Sequence, residues 1–291
     1  MTKRIDFAKE RKREGRSLSS AARKLAELMP PDLRAILADG SAQRSEKKQL
    51  LAKRLRESVA PLFIVDCHGQ PDRVGSCVLV RLDSALFAFT AAHVIRDAGT
   101  AQLISPSEGG GGEFLPLPEY NAYLRSSARD NDLDVAVLAL PSRQLGCFQQ
   151  RVFLSGSEID QDERPDDRGL ASFYFVMGYS ASRTQLQVDG RNIHQRLFQL
   201  STSPISPAEY LQEQLPQADH IALDFDHEEI VVEGKPVNPP KLQGVSGGGI
   251  FQITRETNFG PLVAIATQNR RNSRLIVGTR IKHFLAIVRE L

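Results

Sequence analysis

From Pro61 to the C-terminus the chain is a succession of short β-branched or aromatic runs separated by turn-forming residues. No amphipathic helical stretch long enough to carry a parallel crossover recurs between them. The runs are Leu62 to Val65, Cys77 to Leu82, Leu86 to Phe89, Val135 to Leu140, Val152 to Leu154, Phe173 to Met177, Ile221 to Phe225, Ile250 to Ile253, Leu262 to Ala266 and Leu275 to Gly278. Strands without crossovers pair antiparallel, so the pattern predicts a mainly β chain built as an antiparallel barrel or sandwich. Only the end returns to helical spacing, with Ile281, Phe284, Leu285 and Val288 at i, i+3, i+4 and i+7. A length of 291 residues gives room for about two folding units.

Charge separates the first fifth from the rest. Residues 1–57 carry 16 Lys and Arg against 8 Asp and Glu, whereas residues 58–291 carry 21 against 27, so the net charge changes from +8 to −6. Leu18, Ala22, Leu25 and Met29 share one helix face before Pro30 and Pro31 stop the run. A short helix is expected from Asp32 to Gly40, with Leu33, Ile36 and Leu37 inward, and a third over Ser45 to Val59 with Leu51, Leu55 and Val59 on one stripe. Residues 1–58 therefore read as a basic helical extension. It lacks aromatic interleaving and any zinc or helix-turn-helix signature, which favours docking of a protein partner over nucleic-acid readout, with a plain solvated face as the simplest use.

Other features narrow the compartment and the chemistry. The basic N-terminus has no apolar stretch behind it, because Arg23, Lys24 and Glu27 interrupt the only candidate. The longest apolar runs fall short of the roughly 18 residues of a membrane span, so no membrane partner is expected. Cys67, Cys77 and Cys147 form neither a Cys-x-x-Cys pair nor an even set, which suits inert thiols in a reducing, cytoplasmic setting. Gly109 to Gly112 lacks the Lys-Ser or Lys-Thr of a phosphate loop and reads as a linker, and the acidic stretch 158–168 fits no metal-loop template. No cofactor or metal is implied.

Three short motifs could carry chemistry. In Phe89-Thr90-Ala91-Ala92-His93-Val94-Ile95 a histidine ends an apolar strand, a place where packing is as common a role as catalysis. In Asp130-Asn131-Asp132-Leu133-Asp134-Val135-Ala136-Val137-Leu138 an acid stands at the mouth of a fully apolar strand; alone, it is a turn residue. In Gln243-Gly244-Val245-Ser246-Gly247-Gly248-Gly249 a serine sits among glycines ahead of an apolar strand. Such glycines serve a hairpin turn equally well, but they also let the backbone turn tightly and leave the N–H groups of Gly244 and Ser246 free for a developing oxyanion.

Taken together the motifs resemble the trypsin-like, chymotrypsin-fold serine proteases, whose chain order is His, Asp, Ser. The matching residues are Thr90-Ala91-Ala92-His93, Asp134 before Val135-Ala136-Val137-Leu138, and Gly244-Val245-Ser246-Gly247-Gly248, with intervals of 41 and 112 residues. Leu262 to Thr267 resembles the strand lining that family's substrate cleft, and Val277 to Leu285 its last strand entering a C-terminal helix. The resemblance spans roughly residues 60–291, with the longer second interval consistent with an insertion around 205–243. It implies two antiparallel β-barrels, 59–148 carrying His93 and Asp134 and 149–291 carrying Ser246, with residues 1–58 as an extension without counterpart. It further implies Ser246 as nucleophile, His93 as general base, Asp134 as the group orienting His93, Gly244 and Ser246 N–H as oxyanion hole, and a polypeptide as substrate. Asp132 ranks behind Asp134 because the apolar run begins only after Asp134.

Two departures matter. Val245 stands where secreted digestive members carry an aspartate that pairs with a new N-terminal amine, so that activation switch is absent, and Val94 replaces the cysteine after the histidine. By the same resemblance Pro240 corresponds to the floor of the family's specificity pocket and Asn269 and Ile276 to its walls, with Thr267 and Gln268 as further substrate-binding residues, which implies a small or medium uncharged side chain at the cleavage site. The competing expectation is a catalytically degraded scaffold whose basic extension docks a protein.

Overall fold

The computed structural model of the chain describes residues 55–65, 71–98, 103–106, 114–116, 121–125, 133–140, 151–160, 173–186, 193–225, 230–232, 235–237, 242–253 and 260–291. These belong to one unit, Arg54–Leu291. The helices expected before residue 54, the tetraglycine, Cys67, Cys147, Asp132, Pro240 and most of the acidic stretch lie outside the described residues.

The unit is mainly β, with two antiparallel sheets and a short C-terminal helix. The first sheet contains β1 (Val59–Val65), β2 (Pro71–Leu82), β3 (Ala85–Thr90), β4 (Leu103–Pro106), β5 (Phe114–Pro116), β6 (Asn121–Arg125) and β7 (Val135–Leu140), in the spatial order β5-β4-β1-β2-β3-β7-β6. A seven-residue helix, α1 (Ala92–Ala98), follows β3. The second sheet is assembled from β8 (Phe173–Leu186), β9 (Ile193–Thr202), β10 (His220–Asp224), β13 (Gly249–Ile253), β14 (Leu262–Arg270) and β15 (Leu275–Arg280), in the order β10-β15-β14-β13-β8-β9. Helix α2 (Pro207–Gln212) precedes β10, a small ribbon pairs β11 (Ile230–Val232) with β12 (Lys235–Val237), and α3 (Ile281–Arg289) closes the chain.

Burial explains why these runs became strands. Leu62, Leu79, Ala88, Ala136 and Leu138 are closed off from solvent in the first sheet's core, and Tyr174, Val176, Ile221, Leu223, Ile250 and Ala264 in the second's. Each large apolar side chain so buried contributes roughly 1.5–3 kcal/mol. α3 follows the second sheet, yet Phe284, fully buried, stacks against Phe89 of β3 with ring centroids 5.3 Å apart. Ile287 is buried on that helix, while Val288, expected on the stripe, is half-buried.

Two expectations differ in detail. Residues 152–154 form no strand; Leu154 makes a single parallel bridge with Val80, its N–H donating to Leu79 O and its carbonyl accepting from Arg81 N–H. β1 pairs with β2 only as far as Val78, and Leu154 bonds to the stretch of β2 beyond that point. The helix expected through Val59 ends at Ser58, whose hydroxyl donates to Leu55 O, and Val59 already opens β1.

Candidate active site

The pairing of β3 with β7 brings the first two motifs together. Thr90 lies opposite Ala136, so Asp134, two residues earlier, comes level with the start of α1. Ala92, Val94 and Ile95 of α1 turn into the core, which leaves His93 and Arg96 on the open side. Asp134 accepts the His93 backbone N–H on Oδ1 at 2.8 Å, one of the N–H groups that a helix start leaves without an internal partner. Its Oδ2 accepts from His93 Nδ1. Arg96, one turn on, stands 3.5 Å from Asp134 Oδ1. The imidazole is 31% exposed and the carboxylate 14%, so the pair is partly dry while the ring still reaches solvent.

The serine motif folds as two tight turns between β12 and β13. In the first, Val245 N–H donates to Leu242 O at 2.9 Å and Gly244 has φ +86°. A left-handed φ at the third residue of such a turn is nearly reserved for glycine. Gly247 also has φ +85°, and a Cβ there would collide with Ser76 O and Thr90 Oγ1. Val245 is buried in the second core against Gly178, and Gly248 N–H donates to Val245 O at 2.9 Å. Gly247 N–H donates to Ala266 O, and Ala266 N–H returns a bond to Gly248 O. The loop is thus held by packing and by backbone hydrogen bonds.

The first sheet grips this loop close to the histidine. Ser76 N–H in β2 donates to Ser246 O at 2.8 Å, and Thr90, three residues before His93, donates through its hydroxyl to Ser76 O at 2.7 Å. Gly75 lies between the Val94 side chain and Ser246 O. Ser246, half-buried, makes no side-chain hydrogen bond among the described residues, to His93 or otherwise. Neither do the N–H groups of Gly244 and Ser246 donate to any described residue.

The residues expected along a specificity pocket lie on β14 and its neighbour β15, where Asn269 stands opposite Ile276. Gln268 is half-buried and accepts from Arg270 Nε, and Asn269 is exposed. Thr267 sits at a bulge in β14, 3% exposed, with its hydroxyl 3.4 Å from Val277 O and from Thr279 Oγ1. Ile276 is 2% exposed and packs in the second core, so its side chain serves the core and presents no surface to a ligand. Sequence reasoning passed over Ser76 and Arg96, and gave Thr90 no role beyond its place in the histidine motif.

Among the described residues no group of three or more His, Cys, Asp and Glu is placed to hold a metal, and no helix is long and apolar enough to cross a membrane. Cys77 is a free, buried thiol.

No protein-family model matches the chain, and no curated protein does. Among solved structures it is similar to a chain described as "Structure of GrC", at 14% identity and a TM-score of 0.49, the match covering 81% of this chain and 93% of that one.

Proposed function

We propose that the chain is a serine hydrolase of the double-barrel, chymotrypsin-like kind that cleaves peptide bonds through an acyl-enzyme. The observation that carries this reading is one junction that combines a His93–Asp134 pair with a serine turn whose two neighbouring N–H groups, of Gly244 and Ser246, lack partners among the described residues. Buried or half-buried N–H groups are nearly always paired, so two left open beside a hydroxyl mark a place prepared for an acceptor.

The chemistry follows from those groups. A carboxylate on Nδ1 fixes the proton there and leaves Nε2 as the basic nitrogen. His93 Nε2 takes the Ser246 hydroxyl proton as Oγ attacks the scissile carbonyl carbon. The carbonyl oxygen, now negative, accepts from Gly244 N–H and Ser246 N–H. The imidazolium then protonates the leaving amine, the C–N bond breaks, and water deacylates the serine by the same route in reverse. Hydrogen bonds between a general base and its nucleophile tighten when substrate binds, and the scheme needs the His93–Ser246 contact only then. No cofactor enters the scheme.

The test is reaction of the intact protein with a fluorophosphonate, followed by peptide mass spectrometry. Labelling at Ser246, its loss in Ser246→Ala and its slowing in His93→Ala are expected. An unlabelled parent, or a Ser246→Ala protein labelled at the parent rate, would overturn the reading.

A further inference from the structure

Ser76 lies in β2, in the first sheet, and is fully buried. Its polar groups are all engaged. The hydroxyl donates to Gly244 O at 2.8 Å and accepts from Tyr179 N–H at 2.9 Å. The N–H donates to Ser246 O at 2.8 Å, and the carbonyl accepts from the Thr90 hydroxyl. Three of these four bonds cross to the second sheet and its serine loop. The bond to Gly244 O is the only side-chain hydrogen bond that residues 243–248 receive among the described residues.

We propose that Ser76 is the positioning residue of the oxyanion-binding turn, and that its hydroxyl sets the direction of the Gly244 and Ser246 N–H groups. This role rests on the hydrolase reading above. Peptide groups are planar, so fixing one oxygen fixes the plane that carries it. The Gly244–Val245 plane is held at its oxygen by Ser76 Oγ and at its nitrogen by Leu242 O. The Ser246–Gly247 plane is held at its oxygen by Ser76 N–H and at its nitrogen by Ala266 O. Between them lies the Val245–Ser246 plane, whose oxygen takes Gly248 N–H and whose own N–H stays open. A glycine turns its flanking peptides at little cost, so without the hydroxyl the Gly244–Val245 plane keeps only its bond to Leu242 O, and rotation about Gly244 turns a donor away. Val245 supplies no charge that could order the turn, and Ser76 does that work from the opposite sheet in the uncut chain.

The experiment compares the full-length parent with Ser76→Ala, using fluorophosphonate labelling rates, melting temperature, and the ³¹P resonance of the phosphonylated serine. That resonance moves when the phosphoryl oxygen is hydrogen bonded, which a general packing role would leave untouched. Ser76→Ala should label about 10–100-fold more slowly while melting within a few degrees of the parent, and its adduct resonance should shift toward that of the denatured adduct. Should Ser76→Ala melt far below the parent, Ser76→Cys keeps the volume with a much weaker donor and should show the same slowing. A parent that labels alongside a folded variant that labels equally fast, or labels slowly with an unmoved ³¹P resonance, overturns the role of Ser76 alone. A parent that never labels overturns the hydrolase reading and this role with it.

Discussion

Asp134 holds His93 at two points, taking its backbone N–H on one carboxylate oxygen and its imidazole Nδ1 on the other. Both contacts need an acceptor. An asparagine has one oxygen, and whichever contact keeps it, the other meets an NH₂ group. The backbone N–H cannot change its role and the imidazole can, so Asp134→Asn should keep its oxygen on the N–H and turn its NH₂ to Nδ1, leaving the fold and melting temperature near the parent while forcing the wrong imidazole tautomer. A fall in kcat of about 10⁴-fold is the expected scale for that error. Steady-state hydrolysis of an activated ester checks it, and a variant within tenfold of the parent would count against His93 as the base.

Gly247 is the tightest position in the loop. With φ at +85° and Ser76 O and Thr90 Oγ1 where a side chain would begin, a methyl group meets a backbone oxygen and a buried hydroxyl, neither of which can swing aside. Gly247→Ala should destabilise the protein by about 2–4 kcal/mol and remove labelling of Ser246. Urea denaturation and the labelling assay read both effects, and parent-like values for either would mean that the loop does not pack against β2 as described.

The strands that packing dictates were legible in the sequence, and those that pairing dictates were not. Val135 to Leu140 is β7 to the residue, because a run apolar on both faces can only be an interior strand. β9 reads Ile-His-Gln-Arg-Leu-Phe-Gln-Leu-Ser-Thr, and of its C-terminal half only Phe198 is buried, so its hydrophobic signal is faint and its register comes from β8. α2 was also missed, although Ser206, Pro207 and Glu209 spell a capping box with proline at its first position. Within the candidate site, residue order pointed to His93, Asp134 and Ser246. The hydroxyl of Ser76 was hidden because nothing local distinguishes a serine that bonds 168 residues away from one that fills space.

Cys77 offers a pH test. Burial pushes its thiol from an ordinary 9.0 up to about 12, against a smaller opposing pull from Arg151. Below pH 9 the thiol is protonated folded or unfolded and contributes nothing to pH dependence. Between pH 9 and about 12 the unfolded chain releases the proton while the native chain keeps it, so the native state loses stability as pH rises. Cys77→Ala should be less stable than the parent at pH 8 through the lost packing, and that gap should narrow by pH 10.5. Urea midpoints at the two pH values decide it; a constant gap would mean that the thiol titrates alike in both states.

The N-terminal limit of the β unit is also testable. Leu55 is 1% exposed in its core, Ser58 Oγ donates to Leu55 O, and Val152 N–H donates to Glu57 O. A chain beginning at Arg54 should keep the parent's labelling rate and melting temperature. One beginning at Val59 loses the Leu55 side chain and should melt lower, by an amount equivalent to about 2–4 kcal/mol. Equal melting of the two would show that residues 54–58 do not support the unit.

The bond from Ser76 to Gly244 spans 168 residues, and the His93–Asp134 pair adds a second long closure of 41. Contacts so far apart along the chain form late, after the loops between them have been closed. During synthesis the residues of the histidine–aspartate pair emerge before the serine and the turn that presents it. Activity of the proposed kind thus depends on a contact between residues 168 apart, and a copy of the chain in which Ser76 and Gly244 are parted lacks the held oxyanion turn.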